Sequence, residues 1–358
     1  MDESVTGCHT GAMKIKKLLG ALLTSCLAGC ASYHQGPPSD HFNGKRFFNP
    51  WPEDKKNFLT FLKWQMTSDK KKWPEKVPVQ TLEKVTAASD PKDIQVTFVN
   101  HATVYIQHAG LRFITDPHWS ERASPLSFAG PKRVKEPGVK IEGLPGLDYV
   151  LVSHNHYDHL DVPTLKRLKE IYDPVFLVPL GNAVLLKEAG IIKFRELDWW
   201  QSLDLGEGRE VVLVPARHWS ARGLFDRNKA LWGGFVILTP YEKIYFAGDT
   251  GYCDLFKTLA EKYGSFSFSL LPMGAYEPRW FMKDAHMNPM EAAQAHLDLK
   301  SQRTLGVHWG LFPLTDEGID DPVRDLAEAR NQLKIPEDQF FVLEAGQESL
   351  LKFKKNEL

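Results

Sequence analysis

From residue 94 onward, short apolar or β-branched runs recur between turn residues. Gln95–Val99, Thr103–Ile106 and Leu111–Thr115 predict three strands, with Ala109-Gly110 as a hairpin turn. Tyr149–Val152 and Val175–Val178 predict two more, and Val211–Val214, Phe235–Leu238, Lys243–Phe246, Phe268–Leu271 and Thr304–Val307 continue the theme in the second half. Helical spacing appears between them. Leu165, Leu168, Ile171 and Tyr172 form one face behind Asp161 and Pro163; Asn182–Ala189 predicts a second helix. Leu255, Phe256, Leu259 and Tyr263 form another face, stopped by Gly264. Asn288-Pro289-Met290-Glu291 and Asp321-Pro322 each open a helix. The hairpin must be antiparallel, so two sheets covered by helices fit better than a doubly wound parallel sheet. The expected fold is α/β, a four-layer αββα sandwich.

The N-terminal third is different. Met13 to Lys17 is basic, and Leu18 to Ala28 is an apolar stretch of signal-peptide length, too short to span a bilayer. It runs into Leu27-Ala28-Gly29-Cys30, which is similar to a bacterial lipobox with Cys30 as the lipidated residue. Three segments are therefore expected: 1–30 as signal peptide with lipobox, started at Met1 or Met13; 31–50 as a polar tether; and 51–358 as the folded domain. Ala31-Ser32 lacks the Asp that favours inner-membrane retention in enterobacterial lipoproteins, so a lipid-anchored position on the outer membrane facing the periplasm is expected. Of four cysteines only Cys30 and Cys253 survive the expected cleavage, which leaves no internal disulfide framework. Phe58, Leu59, Phe61, Leu62, Gln65 and Met66 have helical spacing, compatible with core packing or with a lipid-facing stripe. A net charge of −1 lacks the basic excess of a nucleic-acid binder, so no nucleic-acid partner is expected.

The chemistry concentrates in Ser153-His154-Asn155-His156-Tyr157-Asp158-His159-Leu160-Asp161, directly after a predicted strand. His154 and His156 point the same way off an extended segment, because side chains there repeat every two residues. Asp158 and His159 turn away. Further candidates lie just past other predicted strands: His218, Asp249 within Gly248-Asp249-Thr250-Gly251, and His308. Side chains at strand ends converge on one cleft. The expected centre has His154, His156 and His218 on one metal, Asp158, His159 and His308 on the other, and Asp249 bridging. Imidazole and carboxylate donors suit two zinc ions and are also compatible with iron or manganese. Such a pair, about 3.5–4 Å apart, activates water for hydrolysis.

This ligand pattern resembles the metallo-β-lactamase superfamily. Asn49-Pro50-Trp51-Pro52, Asn100-His101-Ala102-Thr103-Val104, Thr115-Asp116-Pro117, Gly130-Pro131-Lys132-Arg133, Phe246–Cys253 and the string Gly274 to Lys283 further resemble the N-acylphosphatidylethanolamine-hydrolysing phospholipase D family. The resemblance implies metal-dependent hydrolysis of a phosphodiester, releasing N-acylethanolamine and phosphatidic acid, with Asp158 and Asp249 in the catalytic centre. It implies His286 as proton donor to the leaving alkoxide, with Tyr276, Arg279, Trp280 and Lys283 near the phosphate or headgroup. It also implies a membrane phospholipid substrate, a membrane surface reached through the lipid anchor, and a homodimer. Ala285 departs from the pattern, since the animal enzymes carry Gln there. The ligands alone leave open a lactone, β-lactam or small-diester substrate, or a non-catalytic, metal-stabilised envelope lipoprotein.

Overall fold

The computed structural model describes residues 33–353 except 53–55 and 57. The signal peptide, the lipobox and Cys30 lie outside the described residues. Helix α1 (Phe58–Thr67) precedes the strands β1 (Ile94–Asn100), β2 (Thr103–His108), β3 (Leu111–Thr115) and β4 (Tyr149–Leu151). Then come α2 (Val162–Tyr172), β5 (Val175–Pro179), α3 (Ala183–Glu188), β6 (Phe194–Leu197), β7 (Ser202–Gly206) and β8 (Arg209–Val214). The rest are β9 (Gly234–Leu238), β10 (Lys243–Phe246), α4 (Leu255–Tyr263), β11 (Phe268–Pro272), α5 (Arg279–Met282), α6 (Pro289–Asp298), β12 (Arg303–Val307), α7 (Asp321–Leu333), β13 (Phe340–Phe341) and β14 (Glu348–Leu351).

The strands form two seven-stranded sheets, ordered β14-β1-β2-β3-β4-β5-β6 and β13-β12-β11-β10-β9-β8-β7. In each, an antiparallel meander gives way to parallel strands: β3 pairs β4 in parallel, and β10 pairs β11 in parallel. Strand alternation sorts the core into layers. Val96, Phe98, Val104 and Ile106 of the first sheet meet Leu213, Phe235, Ile237 and Phe246 of the second in the central layer. Tyr105, Ile114, Val150 and Phe176 point outward beneath Leu165 and Leu168 of α2. Val236, Tyr245 and Leu271 point outward beneath Phe256 and Leu259 of α4 and Ala292 of α6. Helix–sheet–sheet–helix is thus the observed layering.

The segment 33–50 is not a tether. Phe42 and Phe47, each 2% exposed, join the central core, and His41 is buried with its ring nitrogens 2.6 Å from Asp40 Oδ1 and 2.7 Å from Asp198 Oδ1. The polar composition of this segment reflects its outer edge; two aromatic anchors suffice to hold it down, because each buries a large apolar surface. The folded unit therefore includes residues upstream of 51. Asn288 forms the expected capping box with Glu291, and Gly264 stops α4. Among the described residues no helix is long and apolar enough to cross a membrane.

Candidate metal centre

The loop 152–161 leaves β4 in extended form, then turns where His159 N donates to His156 O. The Asp161 carboxylate ends the loop by accepting from Ser120 N, Ser120 Oγ and Thr164 Oγ1, which ties it to α2 and to the segment after β3. The extended part brings His154 Nε2 within 2.8 Å of His156 Nδ1. His218, beyond β8, adds its Nε2 at 3.3 Å from His156 Nδ1. His218 Nδ1 donates to the Ala285 carbonyl at 2.9 Å, which fixes the tautomer and leaves Nε2 with a lone pair facing the cluster.

A second cluster sits beside the first. Asp158 Oδ2 lies 3.3 Å from both His159 Nε2 and His308 Nε2. Asp249 Oδ2 touches both groups: it is 3.2 Å from His159 Nε2, 3.1 Å from His308 Nε2, 3.8 Å from His218 Nε2 and 4.0 Å from His154 Nε2. The seven side chains expected from strand ends thus meet, with Asp249 between the two sets.

Backbone strain accompanies this convergence. His308 has φ +62 and Asp116 φ +34, conformations that non-glycine residues adopt only where their surroundings compel them. Gly248 has φ +60, and a Cβ there would stand 2.5 Å from Ser153 Cβ. That close approach lets Asp249 reach the histidine loop.

The protonation pattern divides the histidines. Burial holds His156 and His218 down at about 3 and His154 well below its ordinary value, so all three present neutral rings. Burial also opposes charge on His159 and His308, but the surrounding carboxylates override it. Asp249, Asp158 and Asp116 raise His159 well above the ordinary range, and Asp249 with Asp158 raises His308 to about 9. Asp158 and Asp249 are held well below the usual carboxylate range, burial notwithstanding, chiefly by His159. Two buried carboxylates therefore demand positive charge, which protons on His159 and His308 supply when no cation does. Asp249 Oδ1, His159 Nε2 and His308 Nε2 are buried without a hydrogen-bond partner among the described residues. Charged contacts lacking hydrogen-bond geometry, together with neutral imidazoles aimed at one point, fit a cation-binding set.

Other polar groups support this set. Asp116 Oδ2 lies 2.6 Å from His159 Nδ1, and the same carboxylate accepts from Ser153 N and Ser153 Oγ; that hydroxyl is also 2.9 Å from His154 Nδ1. His101 Nε2 lies 3.0 Å from Asp158 Oδ2. Asp116 and His101 were not among the expected ligands, although each lies just past a strand end, β3 and β1.

The centre forms the floor of a cavity of about 970 Å³. Its walls include Trp51, Phe61, Trp64, Trp219, Phe281 and Met282, and His156, Asp158, His218, Asp249 and His286 face into it. His286 Nδ1 is 3.8 Å from Asp249 Oδ2 and has no hydrogen-bond partner among the described residues. Burial holds that ring at about 3, so it faces the cavity neutral. Ala285 also lines the cavity. The expected substrate contacts do not line it. Tyr276 Oη donates to Asp325 Oδ2 at 2.5 Å. Arg279 pairs with Glu291 at 2.7 Å and donates to the His286 carbonyl at 2.9 Å, so it braces the segment carrying His286 from behind. Trp280 lies at the surface beneath the Lys63 ammonium, and Lys283 is exposed; Phe281 and Met282, between them in sequence, turn inward. Burial pushes the free Cys253 thiol up to about 12, so no thiolate is present at neutral pH.

Comparison with known proteins places this geometry. Residues 111–309 match the family described as the beta-lactamase superfamily domain. The chain is 38% identical over 296 residues to N-acyl-phosphatidylethanolamine-hydrolyzing phospholipase D 1 of Caenorhabditis elegans, covering 79% of this chain and 82% of that protein. It is also 38% identical over 236 residues to the mitochondrial N-acyl-phosphatidylethanolamine-hydrolyzing phospholipase D of Saccharomyces cerevisiae, covering 64% of this chain and 50% of that protein. Igni18, a metallo hydrolase from Ignicoccus hospitalis, shares the fold at a TM-score of 0.56 and 20% identity, over 73% of this chain and 100% of that one.

Proposed function

Since the chain belongs to the beta-lactamase superfamily and is a metallo-β-lactamase-fold hydrolase, we propose that it is a two-metal phosphodiesterase of phospholipase D type. Its substrate is N-acylphosphatidylethanolamine, and its products are N-acylethanolamine and phosphatidic acid. The observation that carries this reading is Asp249 Oδ2, within 4.0 Å of four imidazole nitrogens drawn from two clusters, on the floor of an aromatic-walled cavity. A cavity of about 970 Å³ lies at the upper end of the range for ligand pockets, roughly 300–1,000 Å³, and suits a lipid better than a small lactone.

His154, His156 and His218 would hold one divalent cation, Asp158, His159 and His308 the other, with Asp249 shared. Zinc is the expected ion, and the donor set also accommodates iron or manganese. When bound, such a pair supplies Lewis acidity toward phosphoryl oxygens and acidifies water to roughly pKa 7. The chain's own groups do the rest. The aromatic walls take the acyl chains and exclude bulk water, which strengthens each charge interaction inside. Asp116 and His101 orient His159 and Asp158. The proton lost by the attacking water would pass to the leaving oxygen, and His286, neutral and unpartnered, would assist that departure with a hydrogen bond. A lipidated Cys30 would keep the enzyme at an envelope membrane facing the periplasm, and two acyl chains suffice for stable anchoring.

The test is turnover by the full chain carrying Cys30→Ser. N-acylphosphatidylethanolamine is presented beside phosphatidylethanolamine, a lactone and a β-lactam. Phosphatidic acid and N-acylethanolamine from the first substrate alone support the proposal. Rapid lactone or β-lactam cleavage with no lipid turnover would sink it.

A further inference from the structure

Helix α1 carries two apolar stripes that do different things. Phe61 and Trp64, three residues apart, turn inward and line the cavity, where Trp64 stacks on Phe281 with centroids 5.0 Å apart. Leu59, Leu62 and Met66 form the adjacent stripe and stay 70%, 42% and 78% exposed. Phe48 and Phe61 line the cavity and yet remain 39% and 45% exposed, so they form its lip. The exposed stripe is continuous with that lip. No acidic residue lies within Phe58–Thr67. Two lysines flank the helix face: Lys63 lies 5.1 Å over Trp280 and Lys70 5.2 Å over Trp64, while Lys56, 5.5 Å over Phe281, is paired with Asp284 at 3.1 Å.

We infer that α1 and the lip of the cavity seat the folded domain on an anionic phospholipid surface, with the cavity mouth against the bilayer. Exposed aliphatic residues flanked by lysines are the pattern of an interfacial helix. A second copy of the chain is the poorer occupant. A two-fold contact through α1 would set Lys63 and the nearby Lys70 against their own copies, with no carboxylate within Phe58–Thr67 to pair them. The inference rests on the lipid-substrate reading and deepens it, because a lipid would then enter the cavity without crossing water.

The full chain carrying Cys30→Ser, which cannot be acylated, is mixed with vesicles of phosphatidylglycerol and phosphatidylethanolamine, or of phosphatidylcholine alone. Co-sedimentation is expected with the anionic vesicles and weakens as salt rises. Leu59→Glu with Met66→Glu should weaken it at least ten-fold, and Met66→Glu alone should do so in part. Hydrolysis of a water-soluble aryl phosphodiester should be unchanged in both variants. Equal vesicle binding by the double variant overturns the inference. So does self-association that the substitutions abolish, since it would make a second copy the occupant. Vesicle binding is read apart from turnover, so a protein that binds anionic vesicles but leaves every phosphodiester intact refutes the proposed activity and not this surface.

A second, independent observation concerns Arg222. Its Nη1 donates to Asn155 O and Leu160 O, each at 2.9 Å, and its guanidinium lies 3.8 Å over the Tyr157 ring. Tyr157 Oη donates back to Arg222 O at 2.9 Å. Both carbonyls belong to the loop that carries His154 to His159. The geometry assigns Arg222 as a positioning residue for the metal loop. Arg222→Met should weaken zinc affinity at least ten-fold, measured by chelator competition, and Arg222→Lys should restore part of the loss. A purely structural role would lower the melting temperature equally with and without zinc and leave the affinity alone, and that outcome refutes the assignment.

Discussion

Asp249→Asn tests the centre most directly. Asparagine keeps the shape and one neutral oxygen but removes a unit of negative charge from a side chain only 3% exposed. That charge faces His159, His308, His218 and His154 at 3.1–4.0 Å. Removing one partner of a buried charged set costs about 3–5 kcal/mol. Cations shared by the same oxygen lose a comparable amount. At 1.4 kcal/mol per ten-fold, metal affinity should fall roughly 100- to 4,000-fold. The assay is metal content by atomic emission after dialysis against a buffered zinc concentration, alongside phosphodiester turnover and near-ultraviolet circular dichroism. A variant that keeps two metals per chain, with activity near that of the parent, would refute the shared-ligand geometry.

Metal uptake should release protons. His308, held at about 9 in the metal-free protein, is charged at pH 7. Its charge stabilises the metal-free fold in full below about 6.5, and that contribution is lost as pH rises through about 9. Zinc affinity should therefore climb from pH 6.5 toward 9. Calorimetric titration in two buffers of different ionisation enthalpy counts the protons, and a count of zero contradicts the assigned charge. Asp116→Asn, by loosening His159, should weaken metal binding about 10- to 100-fold with the cavity intact, and unchanged affinity would remove Asp116 from the support of the site. Gly248→Ala should destabilise the fold by about 1–3 kcal/mol through its left-handed backbone and the contact with Ser153, read by denaturant unfolding. An unchanged midpoint would mean that the 248–251 turn relaxes freely.

Much of this was legible because strand ends gather side chains. His154, His218, Asp249 and His308 each follow an apolar run, and the rule finds them without any contact information. Applied without exception it would also have found His101 after β1 and Asp116 after β3. Position past a strand does not separate a side chain that enters the centre from one that, like these two, contacts Asp158 or His159 from behind. The edge strands β6, β7, β13 and β14 were missed for a different reason. They are two to five residues long, and their half-exposed faces mix charge with apolar residues, as in Phe194–Leu197 and Glu348–Leu351, so periodicity has too little length to register. Phe42 and Phe47 were hidden by polar neighbours, since composition averages over the two positions that matter. In the string Gly274 to Lys283, sequence alone cannot tell which side chains turn inward. Tertiary partners such as Asp325 and Glu291 take Tyr276 and Arg279 away from the cavity.

The two sheets divide the candidate metal-binding side chains between them. His154, His156, Asp158 and His159 follow a strand of the first sheet, while His218, Asp249 and His308 follow strands of the second. Neither sheet alone holds a complete set. The first sheet closes only when Ile94 of β1 pairs with Leu351 of β14, after every strand of the second has been traversed. Complete ligand sets would therefore form only when the two sheets dock, through contacts distant in sequence of the kind that form slowly. If the centre binds its ions as proposed, a half-assembled chain would carry the 154–159 loop without His218, Asp249 and His308, and the ions would seal the seam only once both halves had docked.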